Sequence, residues 1–299
     1  MKLVQLEYMV TIVEQGSLRA AARHLGLAQP ALTRGVRLLE HELGAPLFVR
    51  EAQGMVLTPA GKLFHRRASA IVNDMRRAYE EVGQSLGATQ GSVVVGLSIM
   101  PHVGMLPHAL PLFRQRYPEV ELKLIEGLYP DIEGGLREGR VDFYLGASPR
   151  QDVLAQGLVS ELLFKNTRTV VGRKGHPLAG AKSIKELAGA EWATTSVDYN
   201  AAEDLNALFA KYKMREPKIL LQTHSALSVI VGLAYSDLLA MLPVQWNEFA
   251  LMRGALLAFN IEEKLPAPSI VCIRRPELPL TPAAEYFCDL LRRYSPKVG

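Results

Sequence analysis

Residues 17–61 read SLRAAARHLGLAQPALTRGVRLLEHELGAPLFVREAQGMVLTPAG, and the fold is decided by how this stretch is read. Ala22, Gly26 and Leu32 stand four and six residues apart. They are a small residue where two helices touch, a glycine able to take the positive φ of a tight turn, and an apolar residue seating a second helix. On that second helix Leu32, Val36, Leu39 and Leu43 form one apolar face, while Pro30, Thr33, Arg34 and Arg37 recur at i, i+3, i+4 and i+7 on another. The pattern is a helix-turn-helix whose outer face, with Gln29 at its start, would read base edges and phosphates of duplex DNA. A helical bundle with merely solvated arginines would share the helices but not the hairpin behind them. Leu47–Arg50 and Met55–Leu57 are short apolar runs around Glu51-Ala52-Gln53-Gly54, a wing hairpin on which Arg50 would meet backbone phosphate. Thr58-Pro59 then sets an N-cap and a first-turn proline for a new helix.

The flanks agree with this reading. Residues 1–17, MKLVQLEYMVTIVEQGS, carry apolar residues at 3, 6, 10 and 13 with acids between them, an amphipathic helix rather than a secretory signal. The chain of 299 residues is 48% hydrophobic, enough for two or three domains with their own cores. No run of ~18 uncharged apolar residues occurs, so no membrane association is expected. Net charge is +4, and residues 1–90 hold 11 Lys and Arg against 8 Asp and Glu. The excess sits in the part assigned to DNA and is small, so affinity should rest on dimerisation and fixed phosphate contacts. Cys272 and Cys288 are the only cysteines, which fits a reducing cytoplasm, and both read as packed small hydrophobes rather than a redox pair.

Phe64, Ala68, Ile71, Met75, Ala78 and Val82 fall at alternating spacings of four and three, a heptad seam sustained to about Leu86. A surface helix of one domain would drift with period 3.6 instead, so the seam predicts a partner helix. Arg66-Arg67 and Arg76-Arg77 beside it read as solvated or ion-paired. Gly83, Gly87 and Gly91 loosen the pattern and put the boundary near Gly87 to Gln90. Beyond it, short β-rich runs alternate with helical ones: Ser92–Leu97, Met105–Tyr117, Val120–Glu126, Asp131–Glu138 and Asp142–Gly146. A second series includes Leu162–Val171, Trp192–Thr195, Ala202–Tyr212, Ile219–Thr223, Ala226–Leu233 and Leu238–Leu242, before a closing strand and helix at Ser269–Arg274 and Thr281–Tyr294. This alternation predicts an α/β domain with a largely parallel sheet.

Ala21-Ala22, Leu25, Gln29-Pro30-Ala31, Leu39-Glu40, Leu43-Gly44, Leu47-Phe48, Arg50 and Leu57-Thr58-Pro59-Ala60-Gly61 form one specific set. Looser matches come later at Tyr117-Pro118-Glu119-Val120, Gly139-Arg140-Val141-Asp142, His176-Pro177-Leu178 and Leu242-Pro243. Together, and over the whole chain, they resemble the LysR-type transcriptional regulators. The resemblance implies an α+β multidomain fold: a winged helix-turn-helix over 1–58, a linker helix over 59–90 for dimerisation, and an effector-binding domain over 91–299. That domain would have two α/β lobes like a periplasmic binding protein, lobe I at 91–161 and 267–299 and lobe II at 162–266, with crossings near Ser160–Leu162 and Pro266–Ser269. An effector would sit between the lobes, where helix N-termini favour an anion. Ser98, Met100, Pro101, His102, Thr195, Ser196 and His224 match effector-contacting positions, and Tyr129 and Ser148 stand at equivalent strand-to-helix junctions. The plain alternative is that such hydroxyls only cap helices.

Some positions depart from the family pattern. Ala28 stands where serine commonly caps the recognition helix, leaving Gln29 or water for that role. Gly35 replaces a longer polar residue, removing a base contact or permitting closer approach to the duplex. Glu51 puts an acid beside Arg50. Tyr235-Ser236-Asp237-Leu238 interrupts a small, Gly-rich stretch, a variant that looks like a subgroup associated with aromatic acid or sulfonate catabolism.

Nothing in the sequence points to catalysis. Gly54 to Lys62 has a passing look of a phosphate loop, but six residues separate Gly54 from Gly61 and Leu63 replaces the hydroxyl residue. No HExxH occurs, and His102 and His108 stand six apart, sharing no helical face for a metal. The expectation is therefore a cytoplasmic bacterial transcriptional regulator, with no metal and no cofactor beyond a small, anionic effector. Its partners would be double-stranded promoter DNA, that co-inducer, further copies in a homodimer or homotetramer, and RNA polymerase. A solute-binding protein is disfavoured by the missing signal peptide and the N-terminal DNA unit. An α/β enzyme is disfavoured by the missing nucleophile or metal constellation.

Overall fold

The computed structural model describes residues 1–51, 54–149, 154–194, 201–223, 225–248, 254–277 and 279–296. Helix α1 (Leu3–Gln15) lays Leu6, Met9, Val10 and Ile12 against Ala21 and Ala22 of α2 (Leu18–His24) and Leu32, Val36 and Leu39 of α3 (Gln29–Leu43). Ser17 caps α2 by accepting the Ala20 N–H, and Gly26 turns the chain at φ +66°. Leu43, expected on the apolar face, is exposed at the last turn of α3, where Gly44 ends the helix in the left-handed region. Gly35 lets α1 pack close against α3, because a Cβ there would stand 2.6 Å from the Tyr8 ring of α1. The wing pairs β1 (Phe48–Glu51) with β2 (Gly54–Leu57) antiparallel, and its tip at 52–53 lies outside the described residues. Glu40 fixes the wing on α3, its carboxylate accepting the N–H groups of Leu47 (2.8 Å) and Phe48 (3.2 Å).

Thr58 starts α4 (Pro59–Ser85) as expected, accepting the Gly61 N–H and donating to the Pro46 carbonyl. The helix is 27 residues long, about 40 Å at 1.5 Å per residue. It ends five residues before the expected limit of the linker at 90. The seam divides. Phe64 and Ala68 belong to the core of the DNA-binding unit, Ala68 with no exposed surface, whereas Ile71, Met75 and Val82 are 47%, 42% and 60% exposed and Ala78 is exposed too. The opposite face is polar and docks on the following domain. Asn73 donates to the Glu138 carbonyl, Arg77 to the carbonyls of Gly139 and Val141, and Gln84 to that of Gln90, while the Ala283 N–H donates to Gln84. Asp74 pairs with Arg275 at 2.6 Å and Arg77 with buried Asp142 at 2.8 Å.

The first sheet of the C-terminal part has the order β4-β3-β5-β12-β6, from β3 (Gly91–Leu97), β4 (Val120–Glu126), β5 (Phe143–Ala147), β6 (Val159–Lys165) and β12 (Ser269–Arg274). Its helices are α5 (Ile99–Gly104), α6 (Leu106–Arg116), α7 (Tyr129–Arg137) and α10 (Pro282–Arg293). The second sheet runs β11-β7-β10-β8-β9, from β7 (Arg168–Arg173), β8 (Glu191–Thr194), β9 (Lys218–Gln222), β10 (Leu238–Pro243) and β11 (Leu256–Ala258), with helices α8 (Ala201–Lys211) and α9 (Ala226–Ala234). Both sheets are mixed, which corrects the expectation of a largely parallel one. β3 pairs parallel with β4 and β5, but β12 is antiparallel to β5 and β6. Strands joined by a helical crossover run parallel, whereas β12 re-enters the first sheet from the other lobe and is free of that constraint. The run Leu162–Val171 is not one strand. β6 stays in the first sheet to Lys165 and β7 opens the second at Arg168, so the crossing lies at Asn166-Thr167 rather than near Ser160–Leu162.

The anchor of α4 makes a stability prediction. Arg77 and Asp142 are 7% and 3% exposed, and burial pushes the guanidinium down and the carboxyl up from their ordinary values against their mutual attraction. Asp142→Ala should leave a buried unpaired cation and cost about 3–5 kcal/mol, whereas Arg77→Met with Asp142→Leu should recover much of that loss. Denaturant titrations at one fixed protein concentration measure both.

Candidate functional site

The sequence of α3 places two sites' worth of information on one helix, and the structure separates them by face. Leu32, Val36 and Leu39 point inward, and Gln29, Pro30, Thr33, Arg34 and Arg37 together line one shallow, open depression on the outer surface. Ala28 gives no side-chain cap and Gln29 does not replace it; instead the Thr33 hydroxyl donates to the Gln29 carbonyl at 3.0 Å, inside the helix. The Ala31 and Leu32 N–H groups return to the Ala28 carbonyl at 2.9 and 3.4 Å and Pro30 has none, so the start of α3 needs no side-chain cap. Proline at the second position costs nothing there, since its missing N–H would be unsatisfied anyway. Arg34, Arg37 and Arg50 are exposed, and none is paired with an acid among the described residues. Arg50 stands on the wing, in register with Met55, apart from the depression. Such free guanidinium groups on a rigid scaffold suit phosphate and guanine edges.

A second site lies between the two sheets. A cavity of about 280 Å³ is bounded by Ser98, Ile99 and Met100 at the start of α5 and by Ser148 and Pro149 after β5. Asn166 and Arg168 at one crossing, Pro266–Pro268 at the other, and Asp204 of α8 close it. Ser98 is almost fully buried and its hydroxyl oxygen accepts the Ala147 N–H at 3.3 Å, so it caps β5 rather than its own helix. Arg168 donates to Asp204 at 2.7 Å and to the Pro266 carbonyl at 3.3 Å. Burial lowers its pKa, against the nearby Asp204 carboxylate. Helix α5 bridges the lobes: Ile99 and Val103 pack on the second lobe's core beside Trp246. Glu126, at the end of β4, accepts the Ala226 N–H of α9 at 2.7 Å.

Of the residues expected to touch an effector, the cavity gathers Ser98, Met100 and Ser148. Pro101 and His102 lie on α5 without lining it, and His102 donates through Nδ1 to the Ser98 carbonyl at 3.0 Å. Tyr129 is a core residue of the first lobe, stacked edge-on to Tyr144 with its phenol oxygen accepting the Ala155 N–H at 2.9 Å. Thr195, Ser196 and His224 lie outside the described residues. Sequence spacing does not point to Asn166, Arg168 or Asp204. Arg168 opens a strand that reads as the interior of a longer one, and nothing in the spacing ties it to an acid 36 positions on.

Two family models match the chain: bacterial regulatory helix-turn-helix protein, lysR family, over residues 3–62, and LysR substrate binding domain over residues 86–296. The chain belongs to the LysR family of transcriptional regulators. The HTH-type transcriptional regulator GalR of Pseudomonas putida is 30% identical to it over 291 residues, 97% of this chain and 73% of that protein. TdcA of Escherichia coli K12 is 22% identical over 284 residues, 95% and 90% of the two chains. The crystal structure of CbnR, a LysR family transcriptional regulator, aligns with a TM-score of 0.70 at 21% identity, covering 99% of this chain and all of that one. A structure of full-length CbnR complexed with its target DNA aligns equally well. The regulator is thus a DNA-binding protein with a substrate-binding domain for an effector, and its relatives are regulators rather than enzymes.

Base readers and phosphate positioners should separate by mutation. Arg34→Ala should cost about 1–3 kcal/mol on the operator and relax sequence preference, whereas Arg50→Ala should weaken specific and random duplex alike and lower the salt slope by about one unit. Fluorescence anisotropy on both duplexes across a salt series checks this; equal losses for both variants would erase the distinction.

Proposed function

We propose that the regulator binds a small anionic effector, an aromatic carboxylate or sulfonate, between its lobes, and that the effector alters how a homodimer or homotetramer holds or bends promoter DNA in the cytoplasm. No further cofactor is required by this reading, and RNA polymerase is the partner that a DNA-bound regulator would meet. The observation that carries it is the cavity, whose polar groups come from both lobes: hydroxyls of Ser98 and Ser148 from one, the Arg168 guanidinium from the other. A ligand touching Met100 on α5 and Arg168 on β7 has different contacts in each lobe arrangement, and that difference is what shifts a population. Lobe I is fastened to α4 at Arg77, so a change in lobe angle reaches the DNA-reading unit through the helix.

Calorimetric titration of the full chain with a panel of aromatic and aliphatic acids and sulfonates tests the site. Ser148→Ala should weaken the best binder about tenfold while leaving operator affinity in its absence unchanged, and Ser148→Phe, which fills the cavity, should abolish binding. A panel in which only neutral or cationic compounds bind would overturn the anionic reading. The dimer has its own test. Ile71→Asp puts a carboxylate into the exposed seam and should dissociate the dimer, at a cost of several kcal/mol. Sedimentation velocity unchanged from the parent would place the interface elsewhere.

A further inference from the structure

The interlobe cavity is asymmetric in its hydrogen-bonding groups. Its described lining holds one cation and one anion, Arg168 and Asp204, already joined at 2.7 Å, so an entering acid group must share the guanidinium with Asp204. Asp204 is engaged through Oδ2 alone among the described residues, by Arg168, and its side chain is 35% exposed. Asn166 Oδ1, at the crossing beside them, is shut off from solvent and accepts no hydrogen bond from a described residue. Of the two hydroxyls opposite, Ser148 already donates to the Pro149 carbonyl at 3.0 Å. Arg168 uses Nη1 alone in its two described bonds, so its other N–H groups remain for an acid group, while Asp204 Oδ1 stays an open acceptor beside them that is costly to enclose without a donor.

We infer that the effector is an acid with a single negative charge that also carries a hydroxyl or amino donor, and that Asp204 selects it by accepting that donor while Arg168 holds the acid group. The inference rests on the reading of this cavity as the effector site. A second negative group on the ligand would face the Asp204 carboxylate with the one cation of the described lining already shared, and like charges at such range repel. A simple monoacid would bind but leave Asp204 Oδ1 unmet. A donor-bearing monoacid supplies that hydrogen bond and leaves the Arg168–Asp204 pair in place, which is how a site built around a ligand hydroxyl rejects the analogue lacking it.

Four probes of one ring size decide the matter: benzoate, 3-hydroxybenzoate, 3-aminobenzoate and isophthalate, titrated calorimetrically into the full chain and into Asp204→Asn and Asp204→Leu, with operator binding and circular dichroism as folding controls. The expected result is that the hydroxy or the amino acid binds about 10- to 100-fold more tightly than benzoate, with isophthalate weakest. In Asp204→Leu that preference should collapse and isophthalate should gain affinity, while Asp204→Asn, which keeps an acceptor, should retain part of the preference. Equal binding of benzoate and its substituted forms, tightest binding of isophthalate, or binding of none of the four overturns the inference. The cavity itself is judged separately: it fails as the effector site only if Ser148→Phe leaves binding of the best acid from the wider panel unchanged.

Discussion

One buried ion pair ties the halves of this molecule together. Arg77 sits in the middle of α4, and its terminal nitrogen meets the carbonyls of Gly139 and Val141 and the carboxylate of Asp142, whose other oxygen accepts the N–H of Val94 in β3. An isolated charge at that depth would be prohibitive, and the arrangement exists only because each charge is met by the other and by backbone groups. The consequence is directional. Asp142 immediately precedes β5, which runs from the α4 anchor to Ala147 at the cavity, and β3 continues past Val94 to Leu97, next to Ser98 at the same rim. The linker helix is therefore joined to the interlobe cavity by two adjacent strands, not by a flexible tether.

The second lobe has no comparable tie to α4 among the described contacts. Its connections to the first include the crossings at 166–167 and 266–268, the α5 packing beside Trp246, and the Glu126–Ala226 hydrogen bond. A few contacts of this kind permit small rigid-body changes of one lobe against the other, as in domains closing around a ligand. What a ligand would adjust is then the position of lobe II against a lobe I that is fixed to the helix carrying the DNA-reading unit.

How legible a feature is in the sequence depends on whether it is local. The helix-turn-helix, wing and N-cap of α4 are readable because each is set by residues within a turn or two: the outer arginines by helical spacing, Thr58-Pro59 by cap chemistry, Gly26 by its backbone. Residues whose role depends on another element mislead. Gly35 gives no sign in the sequence of the Tyr8 ring of α1 that packs against it. Ala68 reads as seam until the core beneath it is seen. The split of β6 from β7 is hidden because two strands in different sheets, separated by Asn166-Thr167, make a continuous run in one dimension. Tyr129 reads as a site residue from its junction, yet a phenol there finds its partner in Ala155 and turns inward. Arg168 and Asp204, which shape the cavity most, give no sequence signal at all, because ion pairs between distant elements leave no periodic trace.

The amphipathic pattern of α4 beyond Phe64 is inverted relative to an ordinary surface helix. Asn73, Arg77 and Gln84 share the face turned toward the chain's own effector domain, and that face is buried; Ile71, Met75, Ala78 and Val82 share the opposite face and are exposed. A helix normally gains its stability by hiding the apolar stripe and solvating the polar one. Here the polar stripe is satisfied internally by carbonyls and acids, so nothing within the described chain remains to cover Ile71, Met75 and Val82. The heptad spacing of these residues, which a 3.6-residue period would not sustain, matches a second helix of the same kind rather than a sheet or loop. The proposed dimer would cover this stripe, and the ion pair at Arg77 is what turns it outward: by holding the polar face against lobe I, it leaves the apolar face on the far side of the helix.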